Sequence, residues 1–512
     1  MPYARALPFL VLILLQACAR HAESGDTAAT AAATYTPDWA SLATIDREPE
    51  WWKDAKLGIY FHWGPYSVPA YDTEWYPRFM YSPDANPKSV YAHHQATYGP
   101  DFNYHDFVPQ FTAEQYDPAD WADLFDRAGA KFAGLVAQHH DGFALWDSDV
   151  NPWNAADKGP QRDVLGDLYA ELREHDMKTI ATFHHARTRQ RYAQDSTEWV
   201  GGSGDMGWNS HYPYHPDLIT STTDPELRYL YGNLGEEEFN DYWLAEVEEV
   251  IDKYHPDVIW FDSWLDIMPE SYRQRMVAHQ FNTGVANGQA PIVAYKQEDL
   301  PANVGMLDIE QGGKTDISDD YWLTDVTLSN HSWSYIDGQT YKDPALVIRN
   351  MIDVWSKRGI VLLNVSPRAD GVINQEQRDV LAVIGDWIDR HEEAVYPTRG
   401  YELFGYGDAE FEEGHFGGQS ATMQYTNHDI RFTRARDGHA VYVYVLGMPE
   451  PGTALRLRHL VTENDGRSID GITLVGSGTA VDFAVEGREV ILRTPAATEM
   501  DEIATVFRVD LQ

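Results

Sequence analysis

The sequence predicts an α/β fold, a (β/α)8-like barrel of the TIM type and of irregular geometry, followed by an antiparallel β-sandwich. Seven short apolar runs each end on a side chain that can take part in chemistry. Continuous apolar runs are typical of strands buried on both faces, as in parallel sheets covered by helices. Each run and the residues at its end are: Leu57 to Phe61 with His62, Phe132 to Gln138 with His139 and His140, Thr179 to Phe183 with His184 and His185, Asp257 to Phe261 with Asp262, Ile292 to Tyr295 with Lys296, Met306 to Ile309 with Glu310, and Ile360 to Leu363 with Asn364.

Amphipathic segments alternate with these runs between about residues 39 and 396, which we take as the barrel domain. The predicted helices are Pro118 to Ala130, Asp163 to His175, Glu236 to Tyr254, Ala345 to Arg358 and Gln375 to Val395. Two long insertions, Tyr71 to Tyr104 and Thr188 to Leu234, are expected to form loops at the barrel mouth. Ligand sites of such barrels gather at the carboxyl ends of the strands, so the pattern favours an enzyme site there.

Short alternating segments follow Pro397, and they predict a β-sandwich over residues 397–512. The predicted strands are His439 to Leu446, Gly471 to Val475, Val481 to Val485, Glu489 to Leu492 and Ala504 to Val509. No cluster of catalytic residue types occurs in this part of the sequence. We expect it to pack on the barrel, with carbohydrate binding as an alternative role.

The first residues resemble an export signal. Ala6 to Leu15 is apolar but too short to span a bilayer, and Leu15 to Cys18 resembles a lipobox. Residues 1–18 are therefore a predicted signal peptide and residues 19–38 a predicted flexible tether. We expect an exported protein of a bacterium, either a periplasmic or outer-membrane-anchored lipoprotein or a secreted protein, with lipid on Cys18 as its membrane attachment. Cys18 is the only cysteine, so no disulfide forms within the chain.

The charge excludes one class of partner. With 80 acidic against 39 basic residues, the formal net charge is −41, whereas nucleic-acid binding needs a basic face. Aromatic residues make up 13% of the chain and are frequent in the barrel insertions. Aromatic faces beside carboxylates and imidazoles suit a sugar ring, whose C–H face stacks while its hydroxyls need polar partners.

Hydrolysis of a glycoside requires two carboxyl groups, a nucleophile or base and an acid. Asp262 is the candidate nucleophile because it closes an apolar strand and would face the barrel mouth. Its alternative roles are to cap the next helix or to pair with a basic neighbour. Glu310 is the candidate acid, and its alternative is an ordinary surface glutamate.

The histidines raise a metal alternative, because imidazole is a frequent ligand. We predict no metal and no cofactor, since the His spacing matches no metal motif and neighbouring strand residues should point to opposite faces. Recognition of sugar hydroxyls would explain several of these histidines together.

Four segments carry longer motifs, and in chain order they resemble the α-L-fucosidases of glycoside hydrolase family 29. The segments are Lys56 to Pro69 with Glu74 to Pro77, Gln138 to Ser148, Trp260 to Asp262, and Ser356 to Pro367 with Asp370 and Gly371. The resemblance implies an exo-acting retaining enzyme that releases terminal L-fucose from fucosylated glycans, with Asp262 as nucleophile. It places around the fucose ring His62, Glu74, Trp75, His139, His140 and His184, with Trp146 and Trp260 as apolar walls.

The acid/base position varies in that family. Some members carry it in a Trp-Glu pair, but here Trp322 precedes Leu323, which cannot transfer a proton. Glu310 is the preferred assignment, and Glu298 remains its alternative. Three other functions stay open: a glycosidase for sulfated fucosides or another sugar, a catalytically weakened fucose-binding protein, and a metal-dependent hydrolase. The sequence indicates no oligomeric state.

Overall fold

The computed structural model describes residues 34–83, 88–199, 210–409, 423–460 and 468–512. The predicted signal peptide and residues 19–33 of the predicted tether lie outside these ranges. The end of that tether is docked: the backbone N–H of Tyr35 donates to Oδ1 of Asn282 at 2.7 Å, and its ring packs on Phe281. Tyr35 is thus in contact with the barrel domain, while the flexibility of the tether stays a prediction. Within the described residues, no helix has the length and apolar character to cross a membrane.

Eight parallel strands close into a barrel in chain order, which confirms the predicted fold class. The strands are β1 (Leu57–Phe61), β2 (Phe132–Gln138), β3 (Lys178–Phe183), β4 (Val258–Phe261), β5 (Ile292–Lys296), β6 (Met306–Asp308), β7 (Trp322–Thr327) and β8 (Gly359–Val365). Seven of them correspond to the predicted apolar runs. The sequence analysis missed β7, because Thr324, Asp325 and Thr327 interrupt its apolar character.

The helices largely follow the predicted segments. They are α1 (Trp39–Leu42), α2 (Glu50–Ala55), α3 (Tyr76–Phe79), α4 (Lys88–Thr97), α5 (Pro118–Arg127), α6 (Val164–Glu174), α7 (Leu227–Leu230), α8 (Glu236–Tyr254), α9 (Glu270–Ala286), α10 (Pro344–Ser356), α11 (Gln375–Arg390) and α12 (Glu392–Val395). No helix was predicted at α1, α2 or α9, and α3, α4 and α7 lie where only loops were expected. The predicted Gln375 to Val395 helix breaks at His391 into α11 and α12.

Local signals explain where helices begin and end. The Asp117 carboxylate caps α5, whose first residue is Pro118. The helix α8 ends at its carboxyl terminus because His255 adopts a left-handed conformation with φ 47° and Pro256 prevents the helix from continuing. The chain then enters β4, whose last residue precedes Asp262. The start of this strand is held by the Asp257 carboxylate, which accepts hydrogen bonds from Lys178 and from the Thr179 backbone.

The barrel interior is built in layers, because alternate residues of each strand point inward. A buried apolar layer includes Tyr60, Trp260, Leu323 and Leu362. The next inward positions along β1, β4 and β8 are His62, Asp262 and Asn364. The residues that carry chemistry are therefore the top interior layer, at the carboxyl ends of the strands.

The C-terminal domain consists of two antiparallel sheets, as predicted. Its strands are β9 (Thr398–Tyr406), β10 (Ile430–Ala435), β11 (Ala440–Val445), β12 (Ala454–Leu457), β13 (Ile469–Leu474), β14 (Phe483–Glu486), β15 (Glu489–Arg493) and β16 (Thr505–Leu511). The larger sheet has the order β13-β16-β11-β10-β9 and the smaller one β12-β15-β14. Phe432, Val443 and Leu492 belong to the apolar core of this domain.

A buried ionic cluster joins this domain to the barrel. The Asp353 carboxylate on α10 accepts from Nε of Arg431 on β10 at 2.6 Å and from Nζ of Lys357 at 2.8 Å. Burial acts to raise the pKa of Asp353, but Lys357 and Arg431 outweigh it and hold that pKa below the usual value. The carboxylate is thus ionised between two cations at the domain junction.

We expect Asp353→Ala to lower the free energy of unfolding by about 3 to 5 kcal/mol, because it leaves two buried cations without their shared anion. Urea unfolding followed by tryptophan fluorescence measures this change. Asp386→Ala, at an exposed position of α11, is the matched control and should stay within about 0.5 kcal/mol of the parent. Equal stability of the two variants would show that the cluster does not hold the domains together.

Candidate active site

A cavity of about 400 Å³ opens at the carboxyl ends of the barrel strands. Its lining combines carboxylates, imidazoles, two cations and indole rings. The lining residues are His62, Glu74, Trp75, His139, His140, His184, Arg187, Asp262, Ser263, Trp264, Lys296, Glu310, Asp325 and Trp333.

Both predicted carboxylates and six predicted ring-binding residues line this cavity. Two further predictions need correction. Trp146 is fully buried elsewhere, because its indole N–H donates to Oε2 of Glu249 on α8 at 2.8 Å. Trp260 lies one interior layer deeper, with its ring 5.2 Å from the His184 ring, so it supports the lining instead of forming a wall. Glu298, the alternative acid/base, lines a separate surface cavity with Trp39.

One ammonium group joins the two candidate catalytic carboxylates. Nζ of Lys296 lies 3.1 Å from Oδ1 of Asp262 and 2.6 Å from Oε2 of Glu310. These two oxygens are therefore separated by no more than the sum of the two distances. That limit is close to the carboxyl spacing of about 5 to 5.5 Å typical of retaining glycosidases.

The environment drives the pKa values of these two carboxyl groups apart. Burial acts to raise the pKa of Asp262, but Lys296 and His140 outweigh burial and hold that pKa well below its usual value. Burial raises the pKa of Glu310 to about 7, and the nearby charges of Asp325 and Asp262 add to this effect against Lys296. At neutral pH the site therefore contains an ionised Asp262 and a Glu310 that can hold a proton.

Further carboxyl groups lie beneath Lys296. Oδ2 of Asp325 on β7 is 3.3 Å from the ammonium and accepts a hydrogen bond from the Tyr60 hydroxyl at 3.0 Å. Burial and the neighbouring Asp325 charge raise the pKa of Asp308 well above its usual value. Burial acts to lower the pKa of Lys296, but the surrounding acidic groups hold it well above its usual value. Because Lys296 is shared among several acidic groups, it only partly offsets the burial that raises the pKa of Glu310.

The ring of His62 is held in place by a hydrogen bond to Asn364 at the end of β8. Oδ1 of Asn364 accepts from Nδ1 of His62 at 2.8 Å, while the Asn364 amide donates to the Trp333 carbonyl at 2.8 Å. Because an amide oxygen only accepts, Nδ1 carries the hydrogen and Nε2 is left as an acceptor. Burial lowers the pKa of His62 to about 4, so the ring is neutral at neutral pH.

His139 and His140 both reach the cavity, contrary to the expected alternation. The strand β2 ends at Gln138, so the alternation no longer applies to the next two residues. Nδ1 of His140 donates to the His184 carbonyl at 2.5 Å, which places Nε2 3.4 Å from Oδ2 of Asp262. In the following pair only His184 lines the cavity, since His185 lies against Glu246 on α8.

The three rings of His62, His139 and His184 also meet a geometric condition for a metal site. One nitrogen from each lies within 4.8 Å of the others. Burial lowers the pKa of all three rings, so they are neutral and can exchange hydrogen bonds with hydroxyl groups.

Glu74 closes another side of the cavity. Its Oε2 accepts from the Ser332 hydroxyl at 3.0 Å and from the backbone N–H of Trp333 at 3.2 Å. The indole of Trp333 lies 5.4 Å from the His62 ring, between ring centroids. The segment after β7 therefore orients Glu74 and supplies an apolar surface beside the polar groups.

Several lining residues were missed as site residues by sequence reasoning. Lys296 follows a predicted strand, and this position was the only feature of the sequence that indicated a site residue. Asp325 lies on the missed strand β7, and Trp333 follows that strand. Arg187 and Trp264 lie just after β3 and β4, in segments whose course the sequence did not indicate.

The fold and this site define a barrel glycoside hydrolase, because paired carboxyl groups of opposite protonation state face a cavity of hydroxyl-binding and aromatic side chains. A sequence model described as alpha-L-fucosidase matches residues 23–393. The tissue alpha-L-fucosidase of Rattus norvegicus is 30% identical over 407 residues, 78% of this chain and 79% of the relative. The Homo sapiens tissue enzyme is 28% identical over 451 residues, with 86% and 84% covered.

A solved structure of the Thermotoga maritima alpha-fucosidase in complex with fucose aligns with a TM-score of 0.70. It is 26% identical, and the alignment covers 93% of this chain and all of the other. The chain belongs to the α-L-fucosidase family.

Proposed function

We propose that this protein is an exo-acting, retaining α-L-fucosidase that uses Asp262 as nucleophile and Glu310 as acid/base. The observation that carries the proposal is the opposite pKa shift of two carboxyl groups that contact one ammonium. In the first step the Asp262 carboxylate bonds to the anomeric carbon of a terminal fucose. Glu310 gives its proton to the leaving oxygen, so the aglycone departs as a neutral alcohol.

The second step hydrolyses the fucosyl ester of Asp262. Glu310, now ionised, takes a proton from water while the water oxygen bonds to the anomeric carbon. Two inversions give net retention of configuration and return both carboxyl groups to their starting state. Lys296 stays in contact with both groups, so it compensates the negative charge that moves between them.

The remaining lining residues suit the binding of one sugar ring. The acceptor Nε2 of His62 and the Glu74 carboxylate provide polar partners for hydroxyl groups. Trp75 and Trp333 provide apolar surface for the ring face and the methyl group of fucose. A cavity enclosed by the barrel mouth fits a terminal residue better than the middle of a chain, which supports exo action.

Variants of the two carboxyl groups separate their roles. We expect Asp262→Gly to lower kcat on an aryl α-L-fucoside by at least about 10³-fold, because the ester cannot form. Azide should restore turnover of this variant through direct inversion and yield the β-fucosyl azide. We expect Glu310→Ala to lose about 10² to 10⁴-fold on poor leaving groups but much less on activated aryl groups. Azide should then yield the α-fucosyl azide, the retained product.

The same assay tests the alternatives. Glu298→Ala serves as the matched control and should keep the parent rate, because its side chain lies at another cavity. Hydrolysis that survives in Asp262→Gly without azide would exclude the nucleophile assignment. Fucose binding without release from any fucoside would favour a binding protein, and loss of activity with a chelator would favour the metal-dependent alternative suggested by the three histidines.

The pKa of Glu310 sets the expected pH dependence. An acid acts only while protonated, so kcat/KM should fall as pH rises through about 7. Asp325 raises the pKa of Glu310, and Asp325→Asn removes that charge. The basic limb of the pH profile should therefore move to lower pH in this variant.

The control for this experiment is Asp337→Asn, an exposed position in the segment after β7. Its profile should superimpose on that of the parent. A basic limb that stays in place in Asp325→Asn would show that Glu310 is not the group that titrates.

We also propose that the protein is exported and held at a bacterial membrane through lipid on Cys18. The support for this proposal is the apolar segment Ala6 to Leu15 followed by a lipobox-like end. In cells that express the full chain, the protein should fractionate with membranes, and Cys18→Ala should release it to the soluble fraction. If the parent and Cys18→Ala divided between the membrane and soluble fractions in the same proportion, the result would favour secretion after ordinary signal cleavage.

A further inference from the structure

Arg187 is a cation of the cavity that the proposed mechanism does not use. It belongs to the short 3-10 turn His185–Arg187 that follows β3, its side chain is only 7% exposed, and it lines the cavity. Among the described residues, no carboxylate lies within ion-pair distance of its guanidinium, and the buried Nε has no hydrogen-bond partner. The same turn therefore brings a positive charge to the cavity that makes no ion pair with a described residue.

The neighbouring Arg189 and Arg191 also have a buried Nε without a hydrogen-bond partner, but each of them has a polar partner for another guanidinium nitrogen. Arg189 pairs with Glu236 at 3.4 Å, and Arg191 donates to the Ala186 carbonyl at 2.8 Å. Lys296, the other cation of the cavity, contacts three carboxylates. A buried charge without a partner is costly, and such a cost is typical of positions kept for ligand binding.

Two indole rings hold the Arg187 guanidinium in place. Its central carbon lies 5.7 Å from the ring centroid of Trp75 and 5.9 Å from that of Trp264. Contacts with ring faces use none of the N–H donors. The planar fork that remains matches two oxygens of one anion, the geometry that arginine recognises in bidentate fashion.

The Arg187 guanidinium belongs to the same cavity as the two candidate catalytic carboxyl groups, Asp262 and Glu310. Burial lowers the pKa of Arg187, while the charges of Asp262, Glu310, Asp299 and Asp266 oppose that shift. Trp264 is 38% exposed and marks the cavity rim. Arg187 contacts this rim residue, so a substituent that projects from the sugar pocket toward the rim can reach it.

We propose that Arg187, held between Trp75 and Trp264, binds an anionic substituent of the fucosylated substrate, a sulfate ester or a carboxylate. This inference rests on the proposed fucosidase function and specifies its substrate class. The net charge of −41 repels anions at long range, but salt screens that repulsion beyond about 8 to 10 Å. Selection of an anionic glycan therefore depends on direct contact. Of the two cations that line the cavity, Lys296 contacts three carboxylates, whereas Arg187 makes no ion pair with a described residue.

The test compares kcat/KM on matched pairs of substrates. One pair is an aryl α-L-fucoside and its ring-sulfated form, and two others are a fucosyl-galactose disaccharide against its galactose-sulfated and its galacturonate counterparts. We expect the parent to prefer at least one anionic member, and the preferred pair identifies the position and kind of anion. Arg187→Met should lose about 10- to 100-fold on that member and less than about 3-fold on its neutral partner, as expected for charge-assisted hydrogen bonds.

Controls separate a subsite from a general electrostatic role. Arg189→Met removes a charge from the same segment outside the lining and should keep the preference, and Arg187→Lys should retain part of it. Equal losses of Arg187→Met on both members of every pair, or no anionic preference in the parent, would overturn the inference.

Binding of inorganic sulfate provides a readout that does not depend on turnover. Sulfate should raise the melting temperature of the parent and of Arg189→Met, but not that of Arg187→Met. Absence of this shift in the parent would also count against the anion site. Failure of the parent to hydrolyse any fucoside would refute the proposed function, while the sulfate measurement would still decide whether Arg187 binds an anion.

Discussion

The contact of one lysine with three carboxylates is the interaction on which the rest of the site depends. Asp262, Glu310 and Asp325 come from neighbouring parts of the barrel wall and converge on Nζ of Lys296. Without this ammonium, the acidic groups would be buried around one point with no cation in contact, which a protein interior does not tolerate. Because one positive charge cannot balance all of them, the arrangement keeps a proton on the acidic side of the cavity. The same electrostatics that stabilises the cluster therefore prepares an acid and a nucleophile.

The order of the barrel strands divides the cavity into two halves. The ends of β1, β2 and β3 contribute His62, His139 and His184, whose burial keeps them neutral. The strands β4 to β7 contribute the charged half around Lys296. Neutral donors and acceptors suit the recognition of hydroxyl groups, whereas bond cleavage needs charge. The residues suited to hydroxyl recognition thus follow the first three strands, and those suited to bond cleavage follow the next four. Arg187 adds a separate positive group near the rim of the cavity.

Particular elements show how far the sequence could predict this structure. Seven of the barrel strands were evident because burial on both faces leaves a continuous apolar run. The strand β7 was not, since its inward Asp325 serves the site and breaks that run. Trp146 belongs to a recognisable motif, yet its indole N–H donates a hydrogen bond to Glu249 on α8 and the residue does not line the cavity. The motif could be recognised from the order of residues along the chain. It did not show that the Trp146 side chain would bond to Glu249 instead of lining the cavity.

The sequence by itself determined the class of fold, the end of the barrel where chemistry collects, and Asp262 and Glu310 as candidates. These features are local, because each depends on the burial of one strand or on a short motif. Only the tertiary structure decided that Lys296 joins the two carboxyl groups, that Glu298 lies elsewhere and that Arg187 lines the cavity without an ion pair among the described residues. Such facts depend on closure of the barrel, which brings together residues far apart in the chain and sets the burial that shifts their pKa values.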